Sequence, residues 1–386
     1  MVIRPLAAAP ALVMVALTSC ATAERAQDTP VVRALTAPRT LLDDDPLALE
    51  TLLAEWRSID ARLRAEPPPS REHTDGTSSL TTTEWPLFSR VYFALASCAL
   101  ASRAEPSVAR TLRAAAARAL DEALAPSRTA WIHDHFGDAL ESDAALPSTL
   151  LHGNVLYAFE RCGPSAELAS LATRADRIAT AFERAFAQRP DAALPSYRTL
   201  TWITDNLPAL AALELRARRT GGDRPPFSAR WITFARERSI DARTGLVIAP
   251  YNTAARRPIG PARGCATMMS QPMLAVIDAT FAADQWSRAS EHLVRSVAGL
   301  TGAREYAEGV AGRADRDSGR IVLGMGEAAS GFAIAAAASM GDHETARRLA
   351  VSAWLAASPR RDGPRIETSL PTVGHAIILY GKSLVR

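Results

Sequence analysis

From residue 47 onward, apolar positions recur mostly at three- and four-residue spacing rather than by strict alternation, which predicts a chain of about twelve helices. Two kinds are legible. One kind is apolar on nearly every face: Phe88 to Leu100, Thr149 to Phe159, Ala209 to Leu215, Met273 to Ala283, Ala328 to Met340 and Val373 to Leu384. Such helices require burial all round. The other kind carries an Arg/Glu face: Leu47 to Arg64, Ser107 to Leu124, Ala166 to Ala187, Ala229 to Arg238, Gln285 to Val297 and Glu344 to Ala357. These need cover on one side only. The two kinds alternate along the chain.

Most apolar helices share a start signal, a proline shortly after a polar or capping residue, where its fixed φ and missing N–H suit the first turn. Pro86, Pro147, Pro208 and Pro272 lie 61, 61 and 64 residues apart, and Pro371 follows after 99 with a further apolar helix near Gly326 in between. This is a divergent repeat. Short turns such as Cys162-Gly163-Pro164 and Gly341-Asp342 follow the apolar helices, whereas long loops precede most of them. Six apolar helices inside, six amphipathic ones outside and long loops at one rim resemble the six-hairpin (α/α)6 toroid. The resemblance covers about residues 47–386 as one all-α domain. An open superhelix of helical hairpins is the architectural alternative.

The N-terminus reads differently. Arg4 precedes an apolar run from Leu6 to Leu17, too short to span a bilayer and laid out like an export signal over residues 1–19. Leu17-Thr18-Ser19-Cys20 resembles the bacterial lipobox, which implies acylation of Cys20 and a lipid-anchored protein of the cell envelope, periplasmic or outer-membrane associated. Ala21-Thr22-Ala23 also reads as an ordinary cleavage site. Residues 20–46, with several prolines and the Asp43-Asp44-Asp45 run, read as a tether.

Composition narrows the partners. The chain has 386 residues, 48% hydrophobic and 22% charged, which supports a packed core. A net charge of +3 without a long basic run gives no nucleic-acid footprint. Lys382 is the sole lysine beside the many arginines, and no function follows from that.

In a toroid the inner-helix N-termini converge on a depression and offer free N–H groups to an anionic or hydroxyl-rich ligand. The long loops, Ser127 to Leu146, Arg189 to Thr201, Ser239 to Cys265 and Gly302 to Gly326, would supply side chains. Asp205, in Trp202-Ile203-Thr204-Asp205-Asn206, is a candidate acid or base and equally a favoured N-cap. Asp317 and Glu305 are candidate catalytic acids in the fourth loop, although Asp-x-Asp-Ser-Gly is also good turn chemistry. Trp131 and His135, in the Trp131-to-Asp138 stretch, read as a sugar-stacking edge, and the spacing of His133 and His135 is poor for a metal. Tyr251, Arg263 and Tyr306 are candidate substrate contacts, and His152 is a contact or a hydrogen-bonded core histidine. Gly324-Met325-Gly326 lacks the alternating strands that a dinucleotide site requires, so no cofactor and no metal are expected. Cys98 and Cys162 end neighbouring apolar helices, so a bridge is open to them, while Cys265 is the thiol best placed for chemistry.

Toroids of this kind are frequently carbohydrate-active. What the resemblance implies is a pair of acids in a cleft walled by aromatics, here Asp205 with Asp317 or Glu305, acting on a glycan or small hydroxylated ligand. A second resemblance, to the linalool dehydratase-isomerase type, implies a hydro-lyase or isomerase using Cys265, His152 and Asp205. A lipid-anchored protein that binds a glycan or an envelope partner without catalysis is the third reading.

Overall fold

The computed structural model describes residues 45–67, 84–138, 140, 142, 145–197, 200–357 and 370–386. The export signal, Cys20 and nearly all of the expected tether lie outside these residues. The fold is all-α: thirteen α-helices carry it among the described residues, with seven strands of two to four residues in the connections. No helix among them is long and apolar enough to cross a membrane.

In chain order the helices are α1 (Leu49–Ala65), α2 (Glu84–Ala101), α3 (Pro106–Ala123), α4 (Pro126–Phe136), α5 (Asn154–Cys162), α6 (Ala172–Ala187), α7 (Leu207–Thr220), α8 (Pro226–Arg238), α9 (Gly264–Ile277), α10 (Ala279–His292), α11 (Glu327–Ser339), α12 (His343–Ala357) and α13 (Thr372–Leu384). A π turn, Thr149–Gly153, leads into α5, and a 3-10 turn, Ile203–Asn206, leads into α7. The strands are β1 (Thr201–Trp202), β2 (Pro250–Asn252), β3 (Arg257–Pro258), β4 (Val294–Val297), β5 (Leu300–Ala303), β6 (Ile321–Val322) and β7 (Met325–Gly326). They pair antiparallel as one three-stranded and two two-stranded sheets.

The apolar helices are neighbours in a definite order. Helix α2 packs on α5, α5 on α7, α7 on α9, α9 on α11, α11 on α13, and α13 again on α2. The amphipathic helices back them: α3 covers α2, α6 lies against α5, α8 against α7, α10 against α9 and α12 against α11. Helix α1 lies against both α2 and α13. Burial follows composition. In α2 fourteen of eighteen residues are buried, whereas α10 buries five of fourteen. Removing apolar surface from water drives this arrangement, at about 25 cal/mol per Å².

Polar ties join the two layers. Lys382 of α13 is buried and donates to Glu55 Oε1 of α1 at 2.5 Å. The fully buried Arg90 of α2 pairs with Glu122 of α3 at 3.1 Å and with Glu66 at 2.5 Å. Cys98 and Cys162 form a disulfide, with Cα atoms 5.2 Å apart, between the last turns of α2 and α5.

Three expectations need correction. The apolar helix expected from Met273 starts at Gly264, so Pro272 lies inside α9 rather than at its start. The local loss of one backbone hydrogen bond is outweighed by an N-terminal half that is almost wholly buried. The outer helix expected to reach Val297 ends at His292, and Val294–Val297 is β4, paired with β5. The Trp131-to-Asp138 stretch, expected as loop, is helical through Phe136. Pro126 in the first turn and Gly137 at φ 71° past the end supply the start and stop signals.

Candidate functional site

The N-terminal ends of all six apolar helices meet at one cavity of about 180 Å³. Glu84 and Trp85 come from α2, Leu150 from the π turn before α5, and Thr204 and Asp205 from the 3-10 turn before α7. Cys265 comes from α9, Glu327 and Ala328 from α11, and Val373 from α13. Tyr197, Arg316 and Asp317 close it from the loops, and Trp202 from β1. Most of the wall is apolar, with Phe88, Met269, Phe332 and Ile377 prominent.

Four carboxyl groups line this space: Glu84, Asp205, Asp317 and Glu327, the last paired with Arg320 at 2.6 Å. Asp205 is 8% exposed. The N-cap of α7 is Asn206, not Asp205, and the Asn206 amide is turned away to Leu194, accepting from its N–H at 2.8 Å and donating to its carbonyl at 3.1 Å. That frees Asp205 for the cavity. Burial pushes its pKa up to about 7, Asp317 adds to the rise, and a hydrogen bond from Ser196 opposes it.

Glu84, the first residue of α2, is 5% exposed, and its Oε1 accepts from the Tyr197 hydroxyl at 2.7 Å. Burial lifts its pKa to about 8 against the lowering effect of that bond, with Asp317 and Asp205 adding smaller increments. The positive ends of the surrounding helices favour carboxylates, but desolvation dominates here. Asp317 stands at the exposed mouth, its pKa raised by partial burial and by Asp315.

Glu305 is placed differently. It is fully buried and is not among the cavity-lining residues. Its Oε1 accepts from Arg263 Nε at 2.8 Å and from the Cys265 thiol at 3.1 Å, while Oε2 accepts from the Cys265 backbone N–H at 3.1 Å. Glu305 thus caps α9 from another segment, and its carbonyl accepts from Gly264 N at 2.7 Å. A Cβ at Gly264 would run into the Arg304 carbonyl, so this approach needs glycine.

Arg263 bridges Glu305 and Asp315 and stacks over Trp202 with its guanidinium carbon 5.5 Å from the ring centre. It therefore supports a wall residue rather than lining the cavity itself. Cys265 does line the cavity, and burial, with Glu305 beside it, pushes its thiol well up.

The remaining candidates lie away from the cavity lining. His152 is buried in the π turn, where its Nδ1 accepts from the Ser148 N–H at 3.1 Å, and burial lowers its pKa to about 4. This is the core-histidine arrangement. Tyr251 is buried in β2, edge-on to Phe234 at 5.1 Å. The Tyr306 hydroxyl donates to the Arg313 carbonyl at 3.2 Å. Trp131 packs against the main apolar core. His135 lies on α4, with its side chain outside the described set. Gly324 is in the turn of the β6–β7 hairpin, with φ 81°.

Glu84 and Tyr197 were not singled out in the sequence, although Glu84-Trp85-Pro86 opens an apolar helix. An acid in a first helical turn is ordinarily dipole complementation, so the signal merges with a structural one. No group of three or more His, Cys, Asp and Glu side chains among the described residues is arranged to hold a metal ion. No family model matches the chain, and no curated protein matches it in sequence.

Proposed function

We propose that this protein is an acid/base enzyme acting on a small hydroxylated molecule with a largely apolar body, by elimination or isomerisation in the hydro-lyase class. The observation that carries the reading is the meeting of Glu84, Asp205 and Asp317 in one apolar-walled cavity, with two of the three buried. Near neutral pH Glu84 holds its proton and Asp205 is partly ionised. Glu84 donates its proton to a leaving hydroxyl as the C–O bond breaks, and water departs. Asp205 takes a proton from the adjacent carbon, whose C–H electrons form the new double bond. Tyr197 orients Glu84 through its hydrogen bond.

Glycoside hydrolysis is the second reading, favoured by Asp205 and Asp317 sharing a cavity with Trp85 and Trp202. The apolar wall weighs against it, because a glycan presents hydroxyls that such a wall leaves unpaired.

The architecture behind both readings is a closed (α/α)6 toroid. It is supported by a neighbour order that returns to α2 and by six helix N-termini at one cavity. Acylation of Cys20 would anchor this domain to an envelope membrane. Detergent phase partitioning of wild type and C20A tests that part, and equal partitioning refutes it.

The functional test incubates the purified full-length protein with two panels, branched and allylic alcohols and a set of aryl glycosides, followed by chromatographic product analysis. Alkene or rearranged alcohol that disappears in E84Q and D205N supports the first reading. Glycoside cleavage that is lost in D205N and D317N supports the second. Tight binding without turnover in either panel leaves a binding protein and overturns both.

A further inference from the structure

Behind the Thr204 wall of the cavity lies a second, smaller chamber of about 10 Å³, whose polar lining is Thr204, Trp231, Thr267, Ser270, Gln271 and Gln285. Several of its polar side chains are already satisfied. Trp231 Nε1 donates to the Ile203 carbonyl at 3.0 Å, and the Ser270 hydroxyl donates to the Ala266 carbonyl at 2.6 Å. Gln285 Oε1 accepts from the Val247 N–H at 3.0 Å, and its Nε2 donates to the Gly245 carbonyl at 2.9 Å.

Three lining residues are different. Thr204 Oγ1, Thr267 Oγ1 and both amide atoms of Gln271 are buried without a hydrogen-bond partner among the described residues. Gln271 is fully buried, and Thr204 and Thr267 are 2% and 6% exposed. Buried polar groups are nearly always partnered, by protein or by ordered water. Four unpartnered atoms around a space the size of one water-sized sphere are therefore a built arrangement.

The geometry points to a single-water site held by Thr204, Thr267 and Gln271, which exchanges with the main cavity past Thr204. No ionisable side chain lines the chamber, so the occupant is neutral. The Gln271 carbonyl and one hydroxyl accept from it, and the Gln271 amino group and the other hydroxyl donate to it, which matches the two donors and two lone pairs of water. Thr204 lines both spaces, and the next residue is Asp205. The site is thus placed to take up the water that an elimination at Asp205 releases, or to supply it in the reverse hydration. That role rests on the acid/base function proposed above; the water site itself does not.

Oxygen-17 magnetic relaxation dispersion of solvent water on the full-length protein counts long-lived internal waters without any substrate. T267V/Q271L is expected to lose one water equivalent relative to wild type, and T267S to keep it. Should the double variant not fold, Q271M is read in the same way. An unchanged dispersion in a folded variant overturns the site. T204A, which thins the partition, is expected to shorten the residence time, and an unchanged residence time overturns exchange through Thr204. An inert protein whose dispersion falls as expected sinks the catalytic reading alone, whereas an active enzyme with unchanged dispersion sinks the water site alone.

Discussion

Tyr197 and Glu84 stand 113 positions apart in the chain, yet the phenol donates to the carboxyl at 2.7 Å across the cavity wall. A loop residue thereby sets the state of the first residue of a buried helix. Burial raises the Glu84 pKa, and the Tyr197 bond holds part of that rise back. Y197F should therefore move the Glu84 pKa further up from about 8. Carboxyl infrared titration, with E84Q to assign the band, checks this. A fall in pKa in Y197F would contradict it.

The same group makes stability pH-dependent. Its pKa rises from 4.5 to about 8 on folding, so the native state holds the proton more tightly than the unfolded chain does. Stability is then fullest below about pH 4.5 and declines as pH rises towards 8, by an amount on the order of a few kcal/mol. Denaturant unfolding of wild type and E84Q across this range should show the decline flattened in the variant. Parallel curves would remove Glu84 as its source.

If Asp205 is the base and Glu84 the acid, turnover requires one ionised and the other protonated. Activity should rise with pH through about 7 and fall through about 8, with D205N removing activity throughout. A rate that is flat between pH 6 and 9, on the order of the span where both groups titrate, would separate these two carboxyls from the chemistry.

Arg263 and Glu305 form a buried pair whose members are unequal in solvent access, with Glu305 wholly enclosed. R263M leaves the buried Glu305 carboxyl without its cation, held by the Cys265 N–H and thiol. It should cost about 3 to 5 kcal/mol of stability, the penalty for breaking a buried ion pair from one side. E305Q keeps an acceptor for Cys265 N–H, so R263M/E305Q should regain part of the loss in unfolding experiments. No recovery would argue against this coupling.

The cysteines should separate cleanly. Reduction of Cys98–Cys162, or C98A/C162A, should lower stability by about 2 to 4 kcal/mol through freedom returned to the unfolded chain. Cys265 is buried with its thiol pKa pushed up, so the native protein should resist iodoacetamide at neutral pH and label fully in denaturant. Mass spectrometry distinguishes the two states. Rapid native labelling would make Cys265 a reactive thiol and revive a role for it in the chemistry.

Local pattern carried a good deal of this protein. The all-round apolar helices, their alternation with amphipathic partners and the proline starts at Pro208 and Pro371 follow from side-chain periodicity and backbone restriction, which act within a few residues. The same local rules misplaced the start of α9, because Pro272 looks like a first-turn proline and only burial of the preceding turns outweighs it. Asp205 and Asp317 could be named as acids in loops, but their sharing of one cavity with Glu84 depends on contacts between segments far apart in the chain. Glu305 shows the same dependence in reverse. Its residue type and loop suit a catalytic acid, and packing instead sets it behind the wall, under Arg263 and at the head of α9. Which segments are helical and which faces seek cover can be read from residue type and spacing along the chain. Which carboxyls lose their water and which find a cation depends on how distant segments pack, because desolvation and ion pairing are properties of the assembled neighbourhood.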